Sequence, residues 1–276
     1  MPENTLAEWD LAATNLGRAR GRKYEVAVIP TAAIEPHNRH LPYGQDFLHT
    51  THVARTCCAA AWEKSPNLIC LPALPYGVDC NLLDFPLTIH VSQAALDAIL
   101  RDIITSLRRH GLRKIVILNG HGGNDFTAFI RQIQCDLDVF VFACNWWQVG
   151  RDQFSRIFEH PDDHAGEFET SVGLALYPEI VELAQAGSGA TPPFRFEALR
   201  QAWVRTSRNF SKMNGHCAAG NPAGASAEKG RRYLDLVMTR ITQFLVELAL
   251  APIDDHFPFT PIQNPSSAGS PPAVGS

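Results

Sequence analysis

The sequence has no Cys-x-x-Cys pair, no run of five or more Lys and Arg, no Gly-Lys-Ser/Thr step and no long apolar stretch. Each absence excludes something. Without paired cysteine spacing, a cysteine zinc site or a thioredoxin-type redox motif is excluded. The seven cysteines are odd in number and irregularly placed. They fit a reducing, cytoplasmic setting, with Cys70 and Cys144 as small core hydrophobes. No apolar run approaches the roughly 18 residues of a membrane span, so no membrane partner is expected. The segment from Met1 to Leu16 is mixed polar and lacks the basic-then-apolar order of a signal peptide. The 24 Lys and Arg against 28 Asp and Glu leave a formal charge of −4, which argues against a nucleic-acid partner. Charged residues make up only 19% of the chain and hydrophobic ones 45%. A globular chain of this size buries roughly three quarters of its unfolded surface.

Four apolar runs read as buried strands: Glu25–Pro30, Asn67–Leu71, Lys114–Leu118 and Val139–Cys144. Helical patterns lie between them at Asp46–Trp62, Ser92–His110 and Asp125–Asp136, with Leu96, Leu100, Ile103, Ile104 and Leu107 close to a 3.6 period. Two more helices are expected at Glu167–Ala186 and Ala225–Leu250. Gly187–Pro193 and Ser207–Pro222 read as loops. The alternation predicts an α/β fold with a mostly parallel sheet covered on both faces. No internal repeat or domain boundary is visible. Residues 1–257 are therefore read as one domain, and 258–276, rich in Pro, Ser, Gly and Ala, as a disordered tail.

Three segments concentrate the chemistry, each at an expected strand end or helix start, where open α/β sheets collect ligands. The first, Glu35-Pro36-His37-Asn38-Arg39-His40-Leu41-Pro42-Tyr43-Gly44-Gln45-Asp46, packs carboxylates and imidazoles after the first strand. Divalent metals favour that oxygen-plus-nitrogen set. Asp46 opens a helix, where the dipole favours a carboxylate, and its two oxygens could bridge two metals. The second, Asn119-Gly120-His121-Gly122-Gly123-Asn124, holds His121 at the end of the third strand. It is not a phosphate loop, because no Gly-Lys-Ser/Thr follows. The third, Asp162-Asp163-His164-Ala165-Gly166-Glu167-Phe168-Glu169, brings an imidazole and carboxylates to a helix start. Glu167 and Glu169 are two apart, so on a helix they diverge, and only one faces inward. Together these segments supply His37, His121 and His164 with Glu35, Asp46 and Glu169. That set suffices for two metals roughly 3.5–4 Å apart.

With these motifs the sequence resembles the creatininase family of creatinine amidohydrolase-like, metal-dependent hydrolases, from about Pro30 to about Tyr233. The anchors are Glu-x-His-x-x-His-Leu-Pro-x-x-x-Asp at 35–46, Asn-Gly-His-Gly-Gly-Asn at 119–124 and His-Ala-Gly-Glu-x-Glu-Thr-Ser at 164–171. Phe85-Pro86-Leu87-Thr88 and Ala227-Glu228-Lys229-Gly230 fit more loosely. The resemblance implies a three-layer α/β/α sandwich and a dinuclear site. Glu35, His37, Asp46 and His121 would be ligands, with Asp46 bridging two ions of zinc, manganese or iron. His164 would shuttle a proton to the leaving nitrogen, and Trp146 or Trp147 would line the substrate pocket. His40, Asn124 and Glu167 would stand behind the ligands and orient them. A homo-oligomer, often a hexamer, is also implied. Creatininase itself carries a ligand Glu where this chain has Gly123; Glu169 is the expected substitute. Pro36 and Asn38 stand where many members have Gln and Gly, and Leu87 replaces a common Gly. The loss at Gly123 argues against creatinine as substrate.

The expected activity is hydrolysis of a C–N bond in a small cyclic amide or formamide through a metal-bound hydroxide. One alternative keeps the metals and opens a ring ketone or lactone of a sugar- or inositol-derived substrate. Another is a non-catalytic metal-binding subunit. His49 and His52 are assigned to packing or surface positions. His216, in an Asn-Gly-His-Cys loop, is a candidate for approaching a pocket or a subunit partner.

Overall fold

A computed structural model describes residues 7–261. Its elements are α1 (Leu16–Ala19), β1 (Val26–Thr31), α2 (Gln45–Trp62), β2 (Leu68–Cys70), α3 (Gln93–Arg109), β3 (Lys114–Asn119), α4 (Thr127–Asp136), β4 (Phe140–Asn145), β5 (Asp162–His164), α5 (Glu167–Leu176), α6 (Glu197–Arg200), β6 (Ala219–Gly220) and α7 (Ala227–Leu250). The main sheet runs β2-β1-β3-β4 and every pairing in it is parallel.

The continuous apolar strands follow from burial on both faces. Side chains alternate along a strand, so successive residues enter different cores. Val26 and Val28 of β1 pack with Val116 and Leu118 of β3 against α2, α5 and α7. Ala27 and Ile29 pack with Ile115 and Ile117 against the Leu96, Leu100 and Ile104 stripe of α3 and against Phe129 and Ile133 of α4. The result is the three-layer α/β/α sandwich. Each fully buried Val, Leu or Ile contributes roughly 1.5–3 kcal/mol.

Strand order places the functional end. The chain leaves β1 toward β2 on one side, then crosses to β3 on the other. The connections that leave the carboxyl ends of β1 and β3 therefore depart in opposite directions, which makes a topological switch point, where ligands bind in such sheets. The last register pair there is Thr31 with Asn119, joined by a 3.2 Å hydrogen bond from the Thr31 hydroxyl.

Two expectations are corrected. The helix expected over Glu167–Ala186 ends at Leu176. Pro178 lacks an amide donor and pushes the preceding residue out of helical geometry, and Tyr177 sits at φ −151°, ψ 59°. Two short 3₁₀ turns replace the rest. The loop expected over Ser207–Pro222 contains a 3₁₀ turn at Phe210–Lys212 and strand β6, which pairs antiparallel with β5. His164 therefore closes strand β5, just before the helix start expected for it. Of the expected tail, 262–276 lies outside the described residues. Phe257, just before it, packs its ring on Phe140 at 4.6 Å between centroids.

Asn38 and Leu87 both hold left-handed backbone, with φ of 57° and 59°. Asn38 tolerates this conformation and uses its side chain to bond both the amide and the carbonyl of Gly187 at 2.9 Å. Leu87 is 80% exposed.

Among the described residues, no helix is long and apolar enough to cross a membrane.

Candidate metal centre

The three motif segments meet at the switch point. Glu35 and His37 follow β1, Asp46 lies in the first turn of α2, and His121 follows β3; all four are buried. Glu169 arrives from the first turn of α5. His37 turns Nδ1 toward the Glu35 carbonyl oxygen at 3.1 Å, which leaves Nε2 facing the carboxylates. That atom lies 3.2 Å from Asp46 Oδ1, 3.7 Å from Glu35 Oε1 and 3.8 Å from Glu169 Oε2. On the other side, His121 Nδ1 lies 2.9 Å from Asp46 Oδ2 and 3.1 Å from Glu35 Oε1. The two Asp46 oxygens thus address two different imidazoles.

Two donor groups result, Glu35–Asp46–His121 and His37–Asp46–Glu169, and they share Asp46. A third, Glu35–His37–His164, overlaps both. The donor set suits a divalent cation: three carboxylates and two imidazoles converge in a largely buried site, which is costly unless positive charge sits among them. Glu35 Oε2 and His37 Nε2 are buried and satisfy no hydrogen-bond geometry. The titration tendencies say the same. Burial pushes the Glu35 carboxyl up to about 7, against the pull of His121. Burial also disfavours the charged His37 ring, yet the carboxylates of Asp46, Glu169 and Glu35 together lift it to about 10. His121 is likewise raised, despite burial, by Glu35, Asp46 and Asp79. Asp46 is held well below its usual range; burial opposes this, but His37, His121 and His49 prevail.

His164 stands at the edge of this cluster. Its Nε2 is 2.9 Å from the Pro36 carbonyl oxygen and its Nδ1 is 3.9 Å from Glu35 Oε1. Its ring lies 4.3 Å from that of His37. Burial first, and then the His37 charge, push it down to about 3, so it is a neutral imidazole. The centre opens into a pocket of about 590 Å³ whose lining includes Glu35, Asp46, His121, His164, Glu169 and both tryptophans. Trp146 is fully buried and stacks edge-on with His49; Trp147 is half-buried.

The supporting residues are placed as follows. Asn124 accepts from the Val78 amide at 3.1 Å and donates to Asn119 at 3.1 Å, so it braces the turn that carries His121. His40 bonds Thr170 at 2.8 Å and not a carboxylate or imidazole of the cluster. Burial, then the His37 charge, push it down to about 4. The structure brings Glu169 to the centre and turns Glu167 away. Glu167 accepts from the amides of Glu159 and His160 at 2.9 Å and from Lys229 Nζ at 2.6 Å. It fastens the segment that leads into the His164 strand to α7. His216 packs against Gly187, outside the pocket lining.

Sequence reasoning missed two residues. His49 Nε2 lies 3.4 Å from Asp46 Oδ1; its i,i+3 spacing from Asp46 on α2 was an available signal. Asp79 is fully buried, 3.0 Å from His121 Nε2. Nothing in its neighbourhood, Tyr-Gly-Val-Asp-Cys, distinguishes it. Gly123 is also explained. A Cβ there would lie 2.2 Å from the Val78 carbonyl oxygen and 2.3 Å from His121 Nε2, so no side chain fits at that position.

This geometry defines an α/β/α protein with a buried centre in which two groups of donor side chains share Asp46. The sequence model for the Creatininase family, creatinine amidohydrolase, matches residues 10–245. The chain belongs to the creatininase family. It is 31% identical to the creatinine amidohydrolase of Pseudomonas putida over 178 residues, covering 57% of this chain and 66% of that protein. That is just under two thirds of the relative's length. It is 30% identical to the mycofactocin precursor peptide peptidase of Mycobacterium tuberculosis over 216 residues, covering 74% and 78%. A solved structure from Bacteroides fragilis NCTC 9343, assigned as a creatinine amidohydrolase, aligns with TM-score 0.82 and 37% identity over 90% of this chain and 99% of that one. Creatininase structures in a zinc–zinc form and a manganese form share the fold at 24% identity, with TM-scores of 0.69 and 0.70, covering 88% of this chain and 98% and 99% of theirs.

Proposed function

We propose that the chain is a metal-dependent hydrolase that cleaves a C–N bond of a small cyclic amide or formamide. The observation that carries this reading is the pair of donor groups sharing Asp46 at the floor of a pocket that also contains a neutral histidine. Glu35, Asp46 and His121 would hold one divalent ion, and His37, Asp46 and Glu169 the other. When bound, such ions make water nucleophilic near neutral pH and polarise a carbonyl oxygen. The hydrolase names of the relatives support the class, and the zinc and manganese creatininase structures support the metals.

The chain's own residues do the rest. Half-buried Trp147 gives a planar amide an apolar face to lie against, with fully buried Trp146 packed behind it. His164 starts without a proton on Nδ1, because Nε2–H is committed to the Pro36 carbonyl. It can take a proton from the attacking water and return it to the departing nitrogen. Water adds to the carbonyl carbon, the C–N bond breaks, and the products are a carboxylic acid and an amine. The carbonyl of Pro36 and the ring of Phe210, 5.1 Å away edge-on, fix the imidazole plane throughout.

The test is metal content followed by a substrate panel. About two divalent ions per chain, with release of amine, ammonia or formate from an amide panel, is the expected result. His164→Ala should keep both ions and lose turnover; loss of an ion would make His164 a ligand instead. Acid release without nitrogen would move the reading to a lactone or ring ketone.

A further inference from the structure

The imidazole of His121 is gripped from behind by a unit that no motif announces. Its Nδ1 faces Glu35 and Asp46. Its Nε2 faces the Asp79 carboxylate at 3.0 Å and the Val78 carbonyl oxygen at 3.2 Å. Asp79 is 0% exposed, and both of its oxygens lack any other partner among the described residues. A buried carboxylate without a cation is costly, and the one cationic or donor group placed to compensate it is the His121 ring.

Everything around Asp79 serves to hold it there. Its own amide donates to His90 Nδ1 at 3.0 Å. The preceding amide, of Val78, donates to Asn124 Oδ1 at 3.1 Å, and Asn124 belongs to the His121 turn. The loop and the turn approach so closely that neither tolerates a side chain at its contact glycine. A Cβ on Gly77 would lie 2.8 Å from Asn124 Oδ1 and 3.0 Å from His121 Cδ2. The corresponding Cβ on Gly123 would strike Val78 and His121.

We infer that Asp79 is a positioning residue for the metal centre. It keeps the proton of His121 on Nε2, so that the Nδ1 lone pair is aimed at the Glu35–Asp46 side, and it fixes the ring plane. A carboxylate behind a ligating imidazole also raises its basicity, and such partners are typically worth 10–100-fold in metal affinity. The inference rests on the metal-dependent reading above and assigns the behaviour of one of its two ions to a residue outside the family motifs.

The experiment uses the full chain, zinc as the probe and competitive titration against chelators of graded strength. Wild type is measured first and should hold two zinc ions. Asp79→Asn keeps the shape and the loop bonds but removes the charge. It should weaken one zinc by about 10–100-fold, leave the other unchanged, and leave the melting temperature of the metal-free protein close to wild type, because Asn keeps the shape and the His121 ring retains Glu35 and Asp46 as partners. Asp79→Ala serves if the Asn variant fails to fold, with the same expected loss. A purely structural role would lower the melting temperature and leave both zinc affinities alone, which overturns the inference. Two unchanged zinc affinities in folded Asp79→Asn overturn it as well, and leave the hydrolase reading intact. A wild-type chain that binds no divalent ion overturns both readings together.

Discussion

Two adjacent glycines should behave in opposite ways. An ideal Cβ on Gly123 falls 2.2 Å from the Val78 carbonyl oxygen and 2.3 Å from His121 Nε2, whereas one on Gly122 meets nothing within 4 Å. An ordinary contact begins near 3.4 Å, so Gly123→Ala requires a displacement of about 1 Å at each neighbour. The carbonyl is backbone, tied through the Val78 amide to Asn124, and cannot swing away. His121 therefore moves. Overpacking of this kind costs about 1–3 kcal/mol. The lost flexibility of the unfolded chain returns about 0.4–1 kcal/mol. The net destabilisation is about 1–2 kcal/mol, or roughly 2–8 °C in Tm for a domain of this size. Metal binding suffers more, because a ligand set needs its groups within about 0.5 Å of place; at least a tenfold loss of zinc affinity is expected, on the order of 1.4 kcal/mol. Gly122→Ala, with no clash, should leave zinc affinity unchanged and raise Tm slightly through the same unfolded-state effect. Thermal melts and chelator competition on both variants provide the assay. Equal Tm and equal zinc affinity in the two alanine variants would refute the packing argument for Gly123.

The remaining predictions concern the centre and its frame. Glu169→Gln should lower metal content from about two ions per chain to about one, read by mass spectrometry, while Glu167→Gln should leave metal content unchanged and lower Tm by about 5 °C through weakened bonds to two amides and Lys229. The reverse pattern would exchange the roles of the two residues. Leu87→Gly should stabilise the chain by about 0.5–1 kcal/mol. It relieves a left-handed backbone worth about 1–2 kcal/mol, offset by roughly 0.5–1 kcal/mol of glycine entropy, and an 80% exposed side chain forfeits little burial. A Tm below wild type in chemical or thermal melts would count against it. Removal of metal by a strong chelator should lower Tm, because ions that bind only the folded state stabilise it by mass action. An unchanged Tm would mean that the carboxylate cluster is compensated without them.

Much of the architecture was legible because local physics dictated it. Residues 26–30 of β1 and 115–118 of β3 are apolar throughout since alternate residues serve opposite cores, and a strand buried on both faces has no polar side to show. Asp46 announced itself by opening a helix, and His121 by its glycine turn after a strand. The helix after Glu167 was overextended, although Pro178 carried the signal that stops it. Gly123 already hinted that one ligand had to come from elsewhere, and the divergence of Glu167 and Glu169 limited the choice to one of them. The expectation fell on Glu169, and the tertiary structure supplies the physical reason: Lys229 of a distant helix claims Glu167. Asp79 and His49 were assigned only by the fold. Their neighbours in sequence are unremarkable, and their chemistry arises from what packing places opposite them. The sequence determined which side chains could bind and activate; the crossing from β2 to β3 decided that they converge, because it sends the connections after β1 and β3 in opposite directions around a single crevice.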